Sequence, residues 1–324
     1  MDRQRRLSYL SSMRGLLILA LAAAGLWADD TQFNGRWDIT VPKESRARAW
    51  WLEVTGAGTP ALKGRFVGFP GGDMNEIAQL TIQNGELRFS FDYKDYRTGQ
   101  PMHRDYTARV TPDGKLGGTM RSAGGEVLEW IGARAPVITE KDDGTWRDGT
   151  PVELFNHRDL AGWHGLVPNV PLGWTVKDGA MTNVAGANNI VSDRKFWNFK
   201  LHVDFRVGAH SNSGIGLRGR YEVQILEDFG RPLDRHSNGA LYSRIVPSMS
   251  ASKPAGEWQS YDIRLIGRQV TVVLNDKKII DKQEIEGLTA IAGDADEGEP
   301  GPLILQGDHG PVEFRNIVLT PLAK

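Results

Sequence analysis

Between Arg218 and Gln224 every second residue carries a functional group: Arg218, Arg220, Glu222 and Gln224 alternate with Gly219, Tyr221 and Val223. Read as one strand within Asn212–Gly230, this alternation puts two guanidiniums, a carboxylate and an amide on one face and an apolar set on the other. Such a face can grip hydroxyl or carbonyl oxygens in bidentate fashion, and its carboxylate can accept or deliver a proton. Burial would raise the pKa of Glu222 and the arginines would lower it, so the balance depends on packing. The plain alternative is the solvated side of an antiparallel sheet.

Other groups able to move protons follow the strand. Asp228, His236 and Tyr242 lie in "EDFGRPLDRHSNGALY", which reads as a loop at the mouth of the sheet, and His309 lies in "LQGDHGPVEF". Histidine titrates near neutral pH, so His236 and His309 are candidate proton carriers. Asn212 and Tyr242 add neutral hydrogen-bonding groups. His103, His157, His164, His202 and His210 read as structural or surface residues, Asp276 as a hairpin turn residue, and Arg315 as one half of a structural ion pair. Glu222, Asp228, His236 and His309 could together hold a divalent cation, although no H-x-H or H-E-x-x-H spacing is present. The acidic "GDADEGE" (Gly293–Glu299) does not follow EF-hand spacing and reads as a solvated loop.

The elements that must position these groups are strands. Short segments rich in Val, Ile, Trp, Phe and Tyr alternate with Gly, Pro, Asn and Asp turns, and amphipathic helices are nearly absent. Residues 31–135 hold "RWDITV", "AWWLEVTG", "LKGRFVGF", "IAQLTIQNGELRFSFDY", "RDYTARVTPDGKLGGTMR" and "EVLEWIGAR". "QNGE" and "PDGK" are hairpin signals, and serial hairpins favour an up-and-down barrel or meander. "GRWD" and "WIGARAP" resemble the opening and closing strands of small lipocalin-like barrels. A polar linker is expected over 136–151. A second, larger β domain is expected over 152–324, with strands that include "FKLHVDFRVG", "GALYSRIV", "WQSYDIRLIG" and "VEFRNIVLTPL".

Composition narrows the classes. Thirty-nine Lys and Arg against 40 Asp and Glu give no basic surplus for nucleic acid. With no cysteine among 324 residues, disulfides, thiol catalysis and thiolate metal sites are excluded. Arg3, Arg5, Arg6 and Arg14 precede the apolar run Gly15–Ala28, which predicts a cleavable signal peptide over 1–28 rather than a membrane span. The mature protein is therefore expected to be periplasmic or secreted, without a stable membrane anchor.

In order, "VELFNHRDLAGWHG", "WTVKDGAMT", "FWNFKLHVDFRV", "NSGIGLRGRYEVQILEDFG", "GALY", "KPAGEWQSYDIRLIGRQVTVVLND" and "FRNIVLTPL" resemble the 3-keto-disaccharide hydrolase family over about residues 152–322. The resemblance implies a concanavalin-like jelly-roll sandwich that cleaves glycosidic bonds of 3-keto-glycosides, by hydrolysis or by β-elimination. A C3 ketone acidifies the C2 proton, so a base can form an enolate that expels the C1 substituent. On that reading Glu222, His236, Asp228 and His309 are the catalytic candidates, and Asn212, Arg218, Arg220, Gln224 and Tyr242 bind the sugar. The alternative is a non-catalytic, lectin-like carbohydrate-binding module, which needs no poised acid or base.

Overall fold

The computed structural model describes residues 29–44, 46, 48–68, 72–95 and 98–324; the expected signal peptide lies outside them. Apart from one short 3₁₀ turn, Asp30–Phe33, the described chain is built of strands and loops.

The N-terminal unit is one antiparallel sheet of nine strands. Strands consecutive in sequence pair throughout except Asn75–Glu76 with Thr81–Gln83, and the first, Gly35–Thr40, also pairs with the last, Val127–Arg134. Only the short strands Asn75–Glu76 and Thr81–Gln83 form the two edges, so the sheet curls round a core of Trp37, Leu52, Phe66, Phe89, Tyr106 and Trp130. The aromatic pairs give that core its shape; Phe89 and Tyr106 stack with centroids 4.7 Å apart. Both hairpin signals form turns: Asn84 and Gly85 take positive φ between their strands, and Gly114 does so in the second. This is a barrel-like meander, as the serial hairpins predict.

The C-terminal unit is a sandwich of two antiparallel sheets with jelly-roll character. The larger runs Trp174–Lys177, Ala180–Asn183, Val312–Ala323, Phe199–Val207, Gln259–Ile266, Gln269–Leu274, Lys277–Glu284. The smaller runs Trp163–Gly165, Ile190–Ser192, Ile304–Leu305, Asn212–Leu217, Tyr221–Leu226. Along Phe199–Val207 burial alternates strictly: Phe199, Leu201, Val203, Phe205 and Val207 face the core while Lys200, His202, Asp204 and Arg206 face out. Tyr221–Leu226 is buried on both faces, so its polar side is covered by other parts of the chain.

Between the units, residues 136–151 lie along the sandwich. Arg147–Asp148 pairs with Val312–Ala323, and Asp142 receives a 2.9 Å hydrogen bond from Arg264. The units are fastened to each other as well. In Trp50–Thr55, Trp50, Leu52 and Val54 enter the barrel core, while Trp51 is fully buried in the sandwich core. Its ring lies where a Cβ on Gly287 would sit, and the Arg244 guanidinium covers it at 4.5 Å. Asp38, on the first barrel strand, is buried to 2 % exposure against Glu297, Arg268 and Arg220 of the sandwich; burial and Glu297 push its pKa well up.

Two expected strands take other forms. "GALYSRIV" is a pair of turns with isolated bridges at Leu241, and Ser243 has positive φ. The stretch Asn212–Gly230 is a hairpin of Asn212–Leu217 with Tyr221–Leu226, and Arg218–Arg220 form its turn. Arg218 and Gly219 both adopt positive φ there, +51° and +68°, the geometry of a tight hairpin turn.

Candidate active site

The turn at Arg218–Arg220 removes both arginines from the face that periodicity assigned them. Arg218 is fully buried, donates to the Gly267 carbonyl and lies 4.1 Å over the Trp197 ring. Arg220 is equally buried; its Nε donates to Asp294 at 2.6 Å and its Nη1 to the Glu299 carbonyl at 2.7 Å. Neither lines a cleft with Glu222: Arg220 pins the loop Gly293–Glu299, and Arg218 is tied to Gly267. That loop is correspondingly more than a solvated acidic stretch: Glu297 is 1 % exposed, accepts from Arg268, and receives the Tyr221 hydroxyl at 2.6 Å.

Beyond the turn the alternation holds. Tyr221, Val223 and Ile225 enter the core, while Glu222 and Gln224 face a cleft of about 470 Å³. Opposite them across the hairpin stand Gly216 and Gly214. A Cβ on Gly214 would lie 2.4 Å from Glu222 Oε1, so the bare glycine makes the space in which the carboxylate sits. Asn212, Gln306, Tyr242, Asp308 and His309 also line the cleft.

Each of these groups is held by its backbone. The Tyr242 amide donates to the Glu222 carbonyl at 3.0 Å, and the Gln224 amide donates to Ala240 at 2.9 Å. The Gln306 amide donates to Gly214 at 3.0 Å. Asn183 pins the His309 loop, donating to Gly307 and Gly310 and accepting from the Val312 amide at 2.7 Å. Asn189 accepts from the Gly307 and Asp308 amides at 2.8 and 3.2 Å. The backbone is thereby satisfied, and side-chain hydrogen-bonding capacity is left facing the cleft. The amide oxygens of Asn212, Gln224 and Gln306 are buried and unpartnered by any protein donor, the condition expected of groups that await a polar ligand.

The electrostatics single out Glu222. Burial raises its pKa to about 7; His309 and Arg48 oppose the rise to a smaller extent, and Asp308 adds to it. Tyr242 is pushed up as well, chiefly by burial and then by the Glu222 and Asp73 charges. Burial works against the Asp308 carboxylate, but its hydrogen bond with His309 and the nearby Arg48 and Arg46 outweigh it and hold its pKa below the usual range. His309 Nδ1 lies 2.9 Å from Asp308 Oδ1. The cleft thus holds a carboxyl poised near neutrality, a phenol kept protonated and an Asp–His pair.

The remaining candidates sit elsewhere. Asp228 is buried and accepts the Asn238 amide at 2.8 Å and the Ser252 hydroxyl at 2.6 Å, which makes it a loop anchor. His236 lies beside the cleft: its ring is 5.1 Å from that of Tyr242 and its Nε2 is 2.6 Å from Asp73 Oδ1 of the N-terminal unit. The four residues weighed as divalent-metal ligands are therefore dispersed, and no cluster of three His, Asp or Glu suited to a cation occurs among the described residues. His103, His164 and His202 pair with carboxylates on exposed faces. Arg315 stacks on Trp258 at 3.9 Å and pairs with Asp204. Arg46, Arg48, Asp308, Gln306 and Asn188 join the cleft from segments distant in sequence, and only their folding together reveals them.

Residues 150–320 match the profile of the 3-keto-alpha-glucoside-1,2-lyase-like domain. A 3-keto-disaccharide hydrolase of Bacteroides thetaiotaomicron is 24% identical in an alignment 166 residues long that covers 40% of this chain and 57% of that relative's length. A crystal structure of a glycosyl hydrolase candidate from Parabacteroides distasonis is 27% identical and covers 58% of this chain and 92% of its own, with a TM-score of 0.46. A second from the same organism is 23% identical, covers 55% of this chain and 100% of its own, and has a TM-score of 0.46. With more than half of its length matched, the chain belongs to the 3-keto-alpha-glucoside-1,2-lyase-like family of carbohydrate-active proteins.

Proposed function

We propose that this protein is an exported enzyme that cleaves the glycosidic bond of 3-keto-glycosides, with Glu222 as the general base. The observation that carries the reading is the Glu222 carboxyl, buried in a sugar-sized cleft, with a pKa raised to about 7 and unpartnered amide oxygens around it. A base of that pKa is matched to removing a carbon-bound proton at neutral pH.

The reaction balances within these groups. Glu222 takes the C2 proton, and the electrons of the C2–H bond form an enolate whose charge rests on the C3 oxygen. Collapse of the enolate forms a C1–C2 double bond and breaks the C1–O bond. Tyr242, kept protonated by its surroundings, donates its proton to the departing oxygen. The amides of Asn212, Gln224 and Gln306 bind ring hydroxyls and orient the C2–C3 edge towards Glu222. Addition of water to the unsaturated product would complete a net hydrolysis.

The test is incubation of the purified protein with a 3-keto-disaccharide, following released reducing sugar together with enone absorbance. Turnover with an enone intermediate is the expected result. Tight binding without turnover would sink the enzyme reading and leave a lectin-like binder.

A further inference from the structure

The family match begins at residue 150, yet the cleft that holds Glu222 is also lined by Arg48 of the N-terminal unit. Arg48 Nη2 donates to Asp308 Oδ2 at 3.4 Å, and the other oxygen of the same carboxylate lies 2.9 Å from His309 Nδ1. The position of Arg48 is held from both sides. Its own amide donates to Glu44 at 3.0 Å, and the amide of the next residue, Ala49, donates across the domain boundary to the Ala292 carbonyl at 2.7 Å. The arginine side chain is 21% exposed, so it spans the boundary with little contact to bulk water. The displacement of Arg218 and Arg220 from the site leaves the cleft's arginines to be supplied by this neighbouring unit.

We propose that Arg48 is a positioning residue of the reaction: through Asp308 it fixes the His309 ring over the cleft, and its charge faces Glu222 and Tyr242. The inference rests on the proposed cleavage of 3-keto-glycosides. The charged and titratable groups that share the cleft with Glu222 are Arg46, Arg48, Asp308, His309 and Tyr242. Burial dominates both groups, but His309 and then Arg48 favour the ionised form of Glu222, and Arg235 and then Arg48 oppose the rise that burial, Glu222 and Asp73 give Tyr242, so Arg48 acts on base and acid at once. The N-terminal unit is on this account part of the catalytic machinery, and the match to the family domain alone does not span the whole site.

The experiment uses the full chain with Arg48→Ala, Arg48→Gln and Arg48→Lys, each checked for native circular dichroism. With a 3-keto-disaccharide, the neutral variants should lose roughly tenfold or more in kcat/KM. The rising limb of their pH profile should move up by roughly half a pH unit or more, because a facing cation is lost. Arg48→Lys keeps the charge but not the fork; it should restore the limb and recover only part of the rate. A second readout needs no turnover: carbodiimide labels protonated carboxyls, and the pH midpoint of Glu222 labelling, read by peptide mass spectrometry, should rise in the neutral variants. An unmoved limb with an unmoved labelling midpoint overturns the role of Arg48. An inactive wild-type protein overturns the proposed reaction, and the labelling arm still decides whether Arg48 acts on Glu222.

Discussion

Replacing Glu222 by Gln tests both the chemistry and the burial of this carboxyl, because the two effects have opposite signs. The amide keeps the shape of the side chain but cannot take a proton, so kcat/KM should fall by about 10²–10⁴, the usual worth of a positioned general base. Stability should move the other way. The folded state holds Glu222 neutral up to about pH 7, against an ordinary 4.5, so this group favours folding fully below pH 4.5 and loses that contribution as pH rises through 7. At about 1.36 kcal/mol per pH unit, the full difference is about 3 kcal/mol. The variant lacks this penalty, and its melting temperature relative to wild type should climb between pH 4.5 and 7 by roughly 5 °C, then level off. Thermal melts of both proteins across pH 4–8, alongside kcat/KM for a 3-keto-disaccharide, measure the two arms. A melting difference that does not change with pH would show that the carboxyl is not held neutral. A near-wild-type rate would remove Glu222 from proton abstraction altogether.

The other expectations are as specific. In wild type, kcat/KM should rise with pH through about 7 as Glu222 ionises; a flat profile between pH 6 and 8 would contradict its role. Gly214→Ala places a Cβ 2.4 Å from Glu222 Oε1 and should cost about 1–3 kcal/mol of stability together with most of the activity, as melting and kinetics of the one variant would reveal. Arg220→Met removes the buried guanidinium from the Glu299 carbonyl and from Asp294, which is itself 36% exposed, and should destabilise by roughly 1–3 kcal/mol in urea titrations, while folded protein keeps its KM; a selective rise in KM would return Arg220 to the substrate site. Asp228→Asn should behave likewise, losing the loop anchor to Asn238 and Ser252 by calorimetry with the pH profile unchanged.

Much of the architecture was legible in the strand periods and turn signals. The Asn-Gly and Asp-Gly hairpins formed as their chemistry dictates, since those residues accept positive φ. The alternation that made Glu222 and Gln224 neighbours on one face was real because strand geometry enforces it. It failed over the preceding turn, Arg218–Arg220, where Arg218 takes the left-handed conformation that turn rules reserve for Gly, Asn and Asp. The packing of Trp197 and Tyr221 against the guanidinium compensates that conformation, and such a tertiary effect leaves no mark on local sequence. The same holds for Arg48, Gln306 and Asp308: each is an ordinary polar residue in its own segment, and only the approach of a barrel loop to the sandwich gives them a common purpose. His236 stood out by residue type as a candidate, but its partner Asp73 comes from the other unit, which no spacing could forecast.

Asp38 and Trp51 belong to strands of the barrel, yet both are buried against the sandwich. Their neighbours there are Gly287 and Arg244 for Trp51, and Glu297 and Arg268 for Asp38. An accessory module that recombination can exchange freely meets its neighbour through a polar, replaceable seam. This barrel does not: a substitute would arrive without the indole and the carboxyl, and would leave a slot and a charge imbalance in the sandwich. Exchanging either unit alone would therefore require matching changes on the other side of the seam.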